Sequence, residues 1–194
     1  AANNFLQTMP VNDARKAVGM FKDEYLLDYI NIEEMEVDKP EDIDERVIEK
    51  AIVRNIKKFI MTFGRDFAYI GNQYHLEIFG EELFPDLLFL NRELNCMVVV
   101  ELKKGAFKPS YIGQLQTYMK VLDDKVRKPH ENPTIGILLC KSANKAFVEY
   151  VIRDYNHPMG VATYKTAEDM SEELRKALPD MDEMRKLLTD DSDI

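Results

Sequence analysis

Near the middle of the chain, Met97, Val98, Val99 and Val100 form an apolar run that ends in Glu101, Leu102 and Lys103. Residues two apart on a strand point the same way. A carboxylate and an ammonium would therefore share one face at the end of a strand otherwise suited to burial, where charges are costly unless they pair or serve a ligand. The preceding apolar run, Leu83 to Leu90, is interrupted by Pro85 and Asp86, and Asp is depleted from strand interiors. If the two runs pair through the turn-rich Asn91 to Asn95, Asp86 lies beside Glu101 and two acids converge with one amine. Hard divalent cations such as Mg²⁺ take one or two carboxylates together with waters and phosphate oxygens. Such an ion lowers the pKa of a bound water and neutralises charge on a scissile phosphate, and Lys103 would orient or help activate that water. Glu-x-Lys taken alone is a weak signal, equally explained by a strand that has reached solvent.

The elements that must carry these residues follow from periodicity and punctuation. Ile48, Ala51, Ile52, Ile56, Phe59, Ile60 and Phe63 recur at spacings of three and four and predict a helix, stopped by Gly64. Glu49 falls along its apolar stripe. Strand-like runs follow at Phe67 to Phe79, with a turn or bulge near Gly71, at Leu83 to Leu90 and at Cys96 to Lys103, read as an antiparallel meander. Pro109 opens a helix to about Asp124. Thr134 to Cys140 is a buried strand, Ala143 to Arg153 a helix and Gly160 to Tyr164 a short strand. Upstream, Asp13 to Ile30 reads as a helix, and Glu168 to Leu188 as a helix broken by Pro179. The order predicts an α/β fold with a mixed sheet and helices on its faces. A composition change near Pro40 divides the chain into an N-terminal helix with acidic linker (1–39), a main domain (40–166) and a helical acidic tail (167–194).

Pro85-Asp86 followed by Glu101-Leu102-Lys103 resembles the motif of the PD-(D/E)XK nuclease superfamily, and the element order resembles its αβββαβ, restriction-endonuclease-like core. More narrowly, the chain is similar to the YhcG family. The likeness lies in Gly71-Asn72-Gln73-Tyr74, Asp86-Leu87-Leu88-Phe89, Val100-Glu101-Leu102-Lys103, Phe107-Lys108-Pro109, Asp123-Asp124, Asn132-Pro133-Thr134-Ile135-Gly136, Leu139-Cys140-Lys141, Val148-Glu149-Tyr150 and Pro158-Met159-Gly160-Val161. The resemblance implies a metal-dependent nuclease acting on DNA. Asp86, Glu101 and the Leu102 carbonyl would hold Mg²⁺ or Mn²⁺, with Lys103 as the catalytic lysine. It also implies a carboxylate facing the metal site at Glu49 and a Gln-x-x-x-Tyr element at Gln114 and Tyr118, which stand four apart and so share a helix face. Relatives usually carry a further N-terminal domain thought to bind DNA, of which at most the last helix would be present. Homodimers are common among nucleases that act on both strands.

Charge and composition set the remaining bounds. The net charge of -9 argues on its face against a nucleic-acid partner. The acid is unevenly placed, however: residues 31–46 and 166–194 each carry -6, residues 1–30 carry -1, and residues 47–165 carry +4. Lys104 and Lys108, followed by Lys120, Lys125, Arg127 and Lys128, trail the motif with Phe107 and Tyr111 interleaved, a pattern suited to phosphate contacts. No apolar run approaches the ~18 residues of a membrane span, and no secretory signal is evident, so a cytoplasmic protein is expected. Two cysteines, Cys96 and Cys140, exclude a disulfide framework, and no His spacing suggests zinc. The missing initiator Met points to a trimmed form of something longer. Two other functions compete with the nuclease: a weak or inactive nuclease-fold module for nucleic-acid binding or assembly, and a structural α/β domain with chance charges.

Overall fold

The computed structural model describes residues 2–30 and 45–170, together with residue 176. Its architecture is organised by β7 (Cys96–Leu102), a seven-residue strand buried along its whole length. Burial on both faces suits a central strand of β-branched and apolar residues. It pairs antiparallel with β6 (Leu87–Asn91) and parallel with β8 (Asn132–Cys140). Among the described residues one sheet runs in the order β1 (Ala2–Asn3), β9 (Met159–Thr166), β8, β7, β6, β3 (Phe67–Asn72), with β2 (Glu24–Leu27) also on β9. A separate two-stranded ribbon, β4 (Leu76–Ile78) and β5 (Glu81–Leu83), projects between β3 and β6.

Alternation along β7 feeds two cores. Val98, Val100 and Leu102 face a cluster built with α1 (Phe5–Thr8), α2 (Val11–Met20), α3 (Glu45–Arg54) and α4 (Ile56–Phe63). Phe63 is its hub, with ring centroids 4.6 Å from Phe67, 5.0 Å from Tyr25, 5.3 Å from Phe59 and 5.7 Å from Phe89. Met97 and Val99 face the other cluster, built with α5 (Ser110–Lys125) and α6 (Lys145–Ile152). Ile112, Leu115, Met119 and Leu122 form the buried stripe of α5, at the spacing an amphipathic helix requires. α6 opens on Asn144, whose side chain accepts from the Phe147 N–H at 3.1 Å.

The α/β class, the mixed sheet and the αβββαβ core order agree with the sequence expectation, with corrections at three places. The helix expected over Asp13–Ile30 ends at Met20, and Glu24–Leu27 is instead a strand parallel to β9, from Glu24↔Thr163 to Leu27↔Thr166. Tyr25 and Leu27 alternate inward, and an open sheet edge next to them outweighs local helical spacing. The helix over 48–63 is two helices broken at Asn55, whose side-chain amide donates to the Ala51 carbonyl at 3.0 Å and competes with the backbone ladder. The first two strand runs are each divided, because β4 and β5 pair with each other as a hairpin while β3 and β6 pair in the main sheet, with a bulge between Tyr69 and Gly71. The boundary expected at 39/40 and, apart from Lys176, the helical tail beyond residue 170 lie outside the described residues. Among the described residues no helix is long and apolar enough to cross a membrane.

Candidate active site

The register of β6 against β7 pairs Leu87 with Val100 and Leu88 with Val99. Asp86, one residue before β6, therefore stands opposite Glu101. Leu88 and Val99 both belong to the core on the α5 side, so the two acids, each two residues further along, share that face. They clasp each other's strand: Glu101 Oε1 accepts from the Asp86 backbone N–H at 2.8 Å, and Asp86 Oδ2 accepts from the Leu102 N–H at 2.9 Å. The two carboxyls also hydrogen-bond to each other. The pairing expected from Pro85-Asp86 and Glu-x-Lys is present in the geometry.

Glu49, on α3, is only 3% exposed. Its carboxylate accepts from Asn72 Nδ2 at 3.2 Å and from Gln73 Nε2 at 2.5 Å, and the same Gln73 amide donates to Asp86 Oδ1 at 3.1 Å. One amide thus bridges Glu49 and Asp86. Gln73 adopts a positive φ of 45°, which a non-glycine residue holds at a cost. Its backbone N–H is fixed by the Asp86 carbonyl at 2.8 Å, and the Tyr74 N–H by the Pro85 carbonyl at 3.0 Å.

Lys103 leaves the end of β7 with its N–H bonded to the Leu139 carbonyl at 2.8 Å. Its ammonium donates to Gln114 Oε1 at 3.3 Å and sits 4.7 Å from the Tyr111 ring centroid. Gln114 also engages the Tyr118 hydroxyl, which burial and then the charges of Glu101 and Asp86 push up to about 12. The buried Tyr164 hydroxyl donates to the Lys103 carbonyl at 3.1 Å, anchoring that residue from β9. Lys108 shares the Tyr111 ring at 5.9 Å, and the Lys104 N–H donates to Glu45 on α3 at 3.4 Å.

The remaining basic residues do not join them. α5 has 16 residues, which at 1.5 Å per residue is about 24 Å. Lys125 is its last residue, Arg127 and Lys128 lie beyond it, and Arg127 Nε lies 3.9 Å from Asp123. The basic cluster is split by helix length, and Lys104 and Lys108 are the part beside the acids.

An open cleft of about 580 Å³ is lined by Asp86, Glu101, Leu102, Lys103, Gln114 and Tyr118, with Glu45, Arg46, Gln73 and the hairpin residues Glu82, Leu83 and Phe84 around them. A larger depression of about 750 Å³, between the N-terminal helices and α6, holds none of these groups. Burial raises the pKa of all three acids. For Glu101 the Asp86 charge adds to burial, whereas for Glu49 the Gln73 and Asn72 amides oppose it. Two adjacent buried carboxylates cannot both ionise cheaply without a cation. Their oxygens, with the Leu102 carbonyl, form a hard donor set that fits Mg²⁺ or Mn²⁺. Among the described residues no group of three or more His, Cys, Asp or Glu side chains is placed to hold a metal ion.

Sequence reasoning assigned no role to Asn72, Gln73 or Tyr164, and placed Tyr111 only among the aromatics interleaved with the basic residues. The signal available was two consecutive amides at the end of β3, a polar pair with no reason to interrupt a strand unless it meets partners. Cys96 and Cys140 are buried, free and pushed by burial to about 12, as inert core thiols should be.

The chain is 28% identical over 144 residues to the candidate nuclease YhcG of Escherichia coli (strain K12), covering 74% of this chain and 36% of that protein. It thus spans about a third of the length of that curated relative. A repair endonuclease from Pyrococcus abyssi shares 17% identity at a TM-score of 0.41, over 64% of this chain and 48% of its own. The EndoMS structure with double-stranded DNA gives the same identity and score over 70% and 51%. The family described as the YhcG PDDEXK nuclease domain matches residues 18–179, most of the sequence, and the chain belongs to that family.

Proposed function

We propose that this domain hydrolyses phosphodiester bonds of DNA with the help of a divalent cation, Mg²⁺ or Mn²⁺. The observation that carries the reading is the reciprocal clasp of Asp86 and Glu101 across β6 and β7, with Lys103 two residues beyond Glu101 in the same cleft. Asp86, Glu101 and the Leu102 carbonyl would hold the ion. When bound, it supplies a water of lowered pKa and neutralises charge on the phosphate.

The chain's own groups do the rest. Lys103, steadied by Gln114 and Tyr111, points a compact positive charge and hydrogen-bond donors at the attacking water and the phosphate oxygens. Glu49, fixed by Gln73 and Asn72, orients a second water or serves as an auxiliary ligand. Lys104 and Lys108 hold backbone phosphates on either side, and Gln114 and Tyr118 contact the strand where it enters the cleft.

Asp86→Ala should abolish metal-dependent cleavage of DNA while far-ultraviolet circular dichroism stays unchanged. Undiminished cleavage rejects the assignment. Calorimetric titration with Mn²⁺ separates the nuclease from a non-cutting module, which need not bind metal here. A matched RNA substrate tests the choice of polymer.

A further inference from the structure

Phe84 lines the cleft two residues before Asp86 and is 44% exposed. An aromatic ring that large, left in solvent just after β5 where the apolar strand side chains of the hairpin pack inward and Phe79 in its turn is exposed, gains little from folding. Leu76, Ile78 and Leu83 of the same hairpin all join the core on the α5 side. The ring is also held in place. His75 stacks on it with centroids 5.1 Å apart and planes inclined by 22°, and Glu82 Oε1 lies 3.3 Å from His75 Nε2. The bonds from Gln73 to Asp86 and from Tyr74 to Pro85 tie the two segments together immediately beside this pair. The stack and the acids are therefore parts of one rigid corner.

The chemistry around the ring narrows what it receives. Glu82 of the hairpin lines the cleft with Phe84, and a carboxylate there repels phosphates but accepts hydrogen bonds from the amino and imino groups of nucleobase edges. The cations of the cleft, Arg46 and Lys103, come from α3 and from the end of β7. A paired base inside a duplex presents no free π-face to a side chain, whereas an unpaired one stacks readily on an aromatic platform.

We propose that Phe84, backed by His75, is a stacking platform for an unpaired nucleobase next to the scissile phosphate, so that the cleft selects DNA with a single-stranded or extruded nucleotide at the cut. The inference rests on the nuclease reading above and deepens it.

The sequence contains no tryptophan, so Phe84→Trp places a lone indole at the platform. With the full chain in Ca²⁺, its fluorescence should be quenched by a short single-stranded oligonucleotide and not by the same strand made abasic at its central positions. In Mn²⁺, the parent should cut a duplex bearing one unpaired nucleotide faster than the fully paired duplex. Phe84→Ala should lower that preference by about tenfold, as expected for losing one base–aromatic stack. Mn²⁺ titration of both variants checks that the corner still folds. Equal quenching by the abasic strand, or the same preference ratio in Phe84→Ala and parent, overturns the platform. If the parent cuts neither duplex, the nuclease reading fails, and the indole experiment still decides whether the corner stacks bases.

Discussion

Glu101→Gln tests the electrostatics of the site without disturbing its shape. In the metal-free domain, burial and then the Asp86 charge push Glu101 from 4.5 up to about 9, and burial also raises Asp86, so the pair shares one proton across neutral pH. The unfolded chain gives up that proton near the ordinary glutamate value. Between the two, the folded state holds about one more proton than the unfolded state, and stability therefore falls as pH rises, by about 1.4 kcal/mol per pH unit. From pH 6 to pH 8 this amounts to about 3 kcal/mol. The amide cannot titrate. Its oxygen can still accept the Asp86 N–H, a bond of 2.8 Å in the parent, and its NH₂ takes the place of the shared proton. The variant should match the parent near pH 5 and become progressively more stable relative to it toward pH 8. Glu49, raised in the same direction, is common to both proteins and cancels in the difference.

Urea unfolding at several pH values in EDTA measures this directly. A stability difference that stays constant within about 0.5 kcal/mol from pH 5 to pH 8 would refute the shared-proton account. Saturating Mn²⁺ should then close the gap, because an ion that binds the ionised pair stabilises the parent by about 2.7 kcal/mol at a hundredfold excess over its dissociation constant.

Three further outcomes follow from particular contacts. Gln73→Leu removes the amide that bridges Glu49 and Asp86, and should weaken Mn²⁺ binding by about tenfold or more in calorimetry; unchanged affinity would show that the bridge positions nothing. Phe79 and Gly80 form the two-residue turn of the β4–β5 hairpin with φ of 52° and 82°, and Phe79 is 98% exposed. Phe79→Asn should therefore raise stability by about 1 kcal/mol, since Asn-Gly suits such a turn, and a lower urea midpoint would contradict this. Gly136 lies under α5, where an added Cβ would meet Met119 Sδ and come within 3.0 Å of Leu115 Cγ. Gly136→Ala should cost about 1–3 kcal/mol by overpacking, and an unchanged midpoint would mean that α5 docks less closely on β8.

Legibility in the sequence tracked how local the determining interaction is. β7, β8 and α5 were readable because unbroken apolar runs and three-four spacing report burial that any neighbour would satisfy. The cross-strand placement of Asp86 and Glu101 was readable because a meander joined by a short turn leaves little freedom of register. β2 was not readable: its place on β9 depends on pairing from Glu24↔Thr163 to Leu27↔Thr166, more than a hundred residues away. Nor was the hairpin, since the apolar run through Leu83 gave no sign that β5 would pair with β4 while β6 paired with β3. Gln73 escaped for the same reason, because its role lies in reaching two acids from different elements.

The same register explains why the charged corner tolerates its own cost. The aromatic hub around Phe63 and Phe89, together with the fully buried β7, lies along the body of β6 and β7, while the acids stand at the strands' ends, where β6 has not begun and β7 is about to finish. Backbone N–H groups at those ends lack a full ladder and are free to receive carboxylates, as the 2.8 Å and 2.9 Å bonds to Asp86 and Leu102 do. A pair of acids placed three residues deeper would break ladder hydrogen bonds and desolvate completely. Placed three residues further out, they would meet water and lose the low-dielectric surroundings that make a bound cation, or a shared proton, strongly preferred. The strand end is thus the position at which two like charges remain close enough to conflict and dry enough for that conflict to be resolved by a ligand.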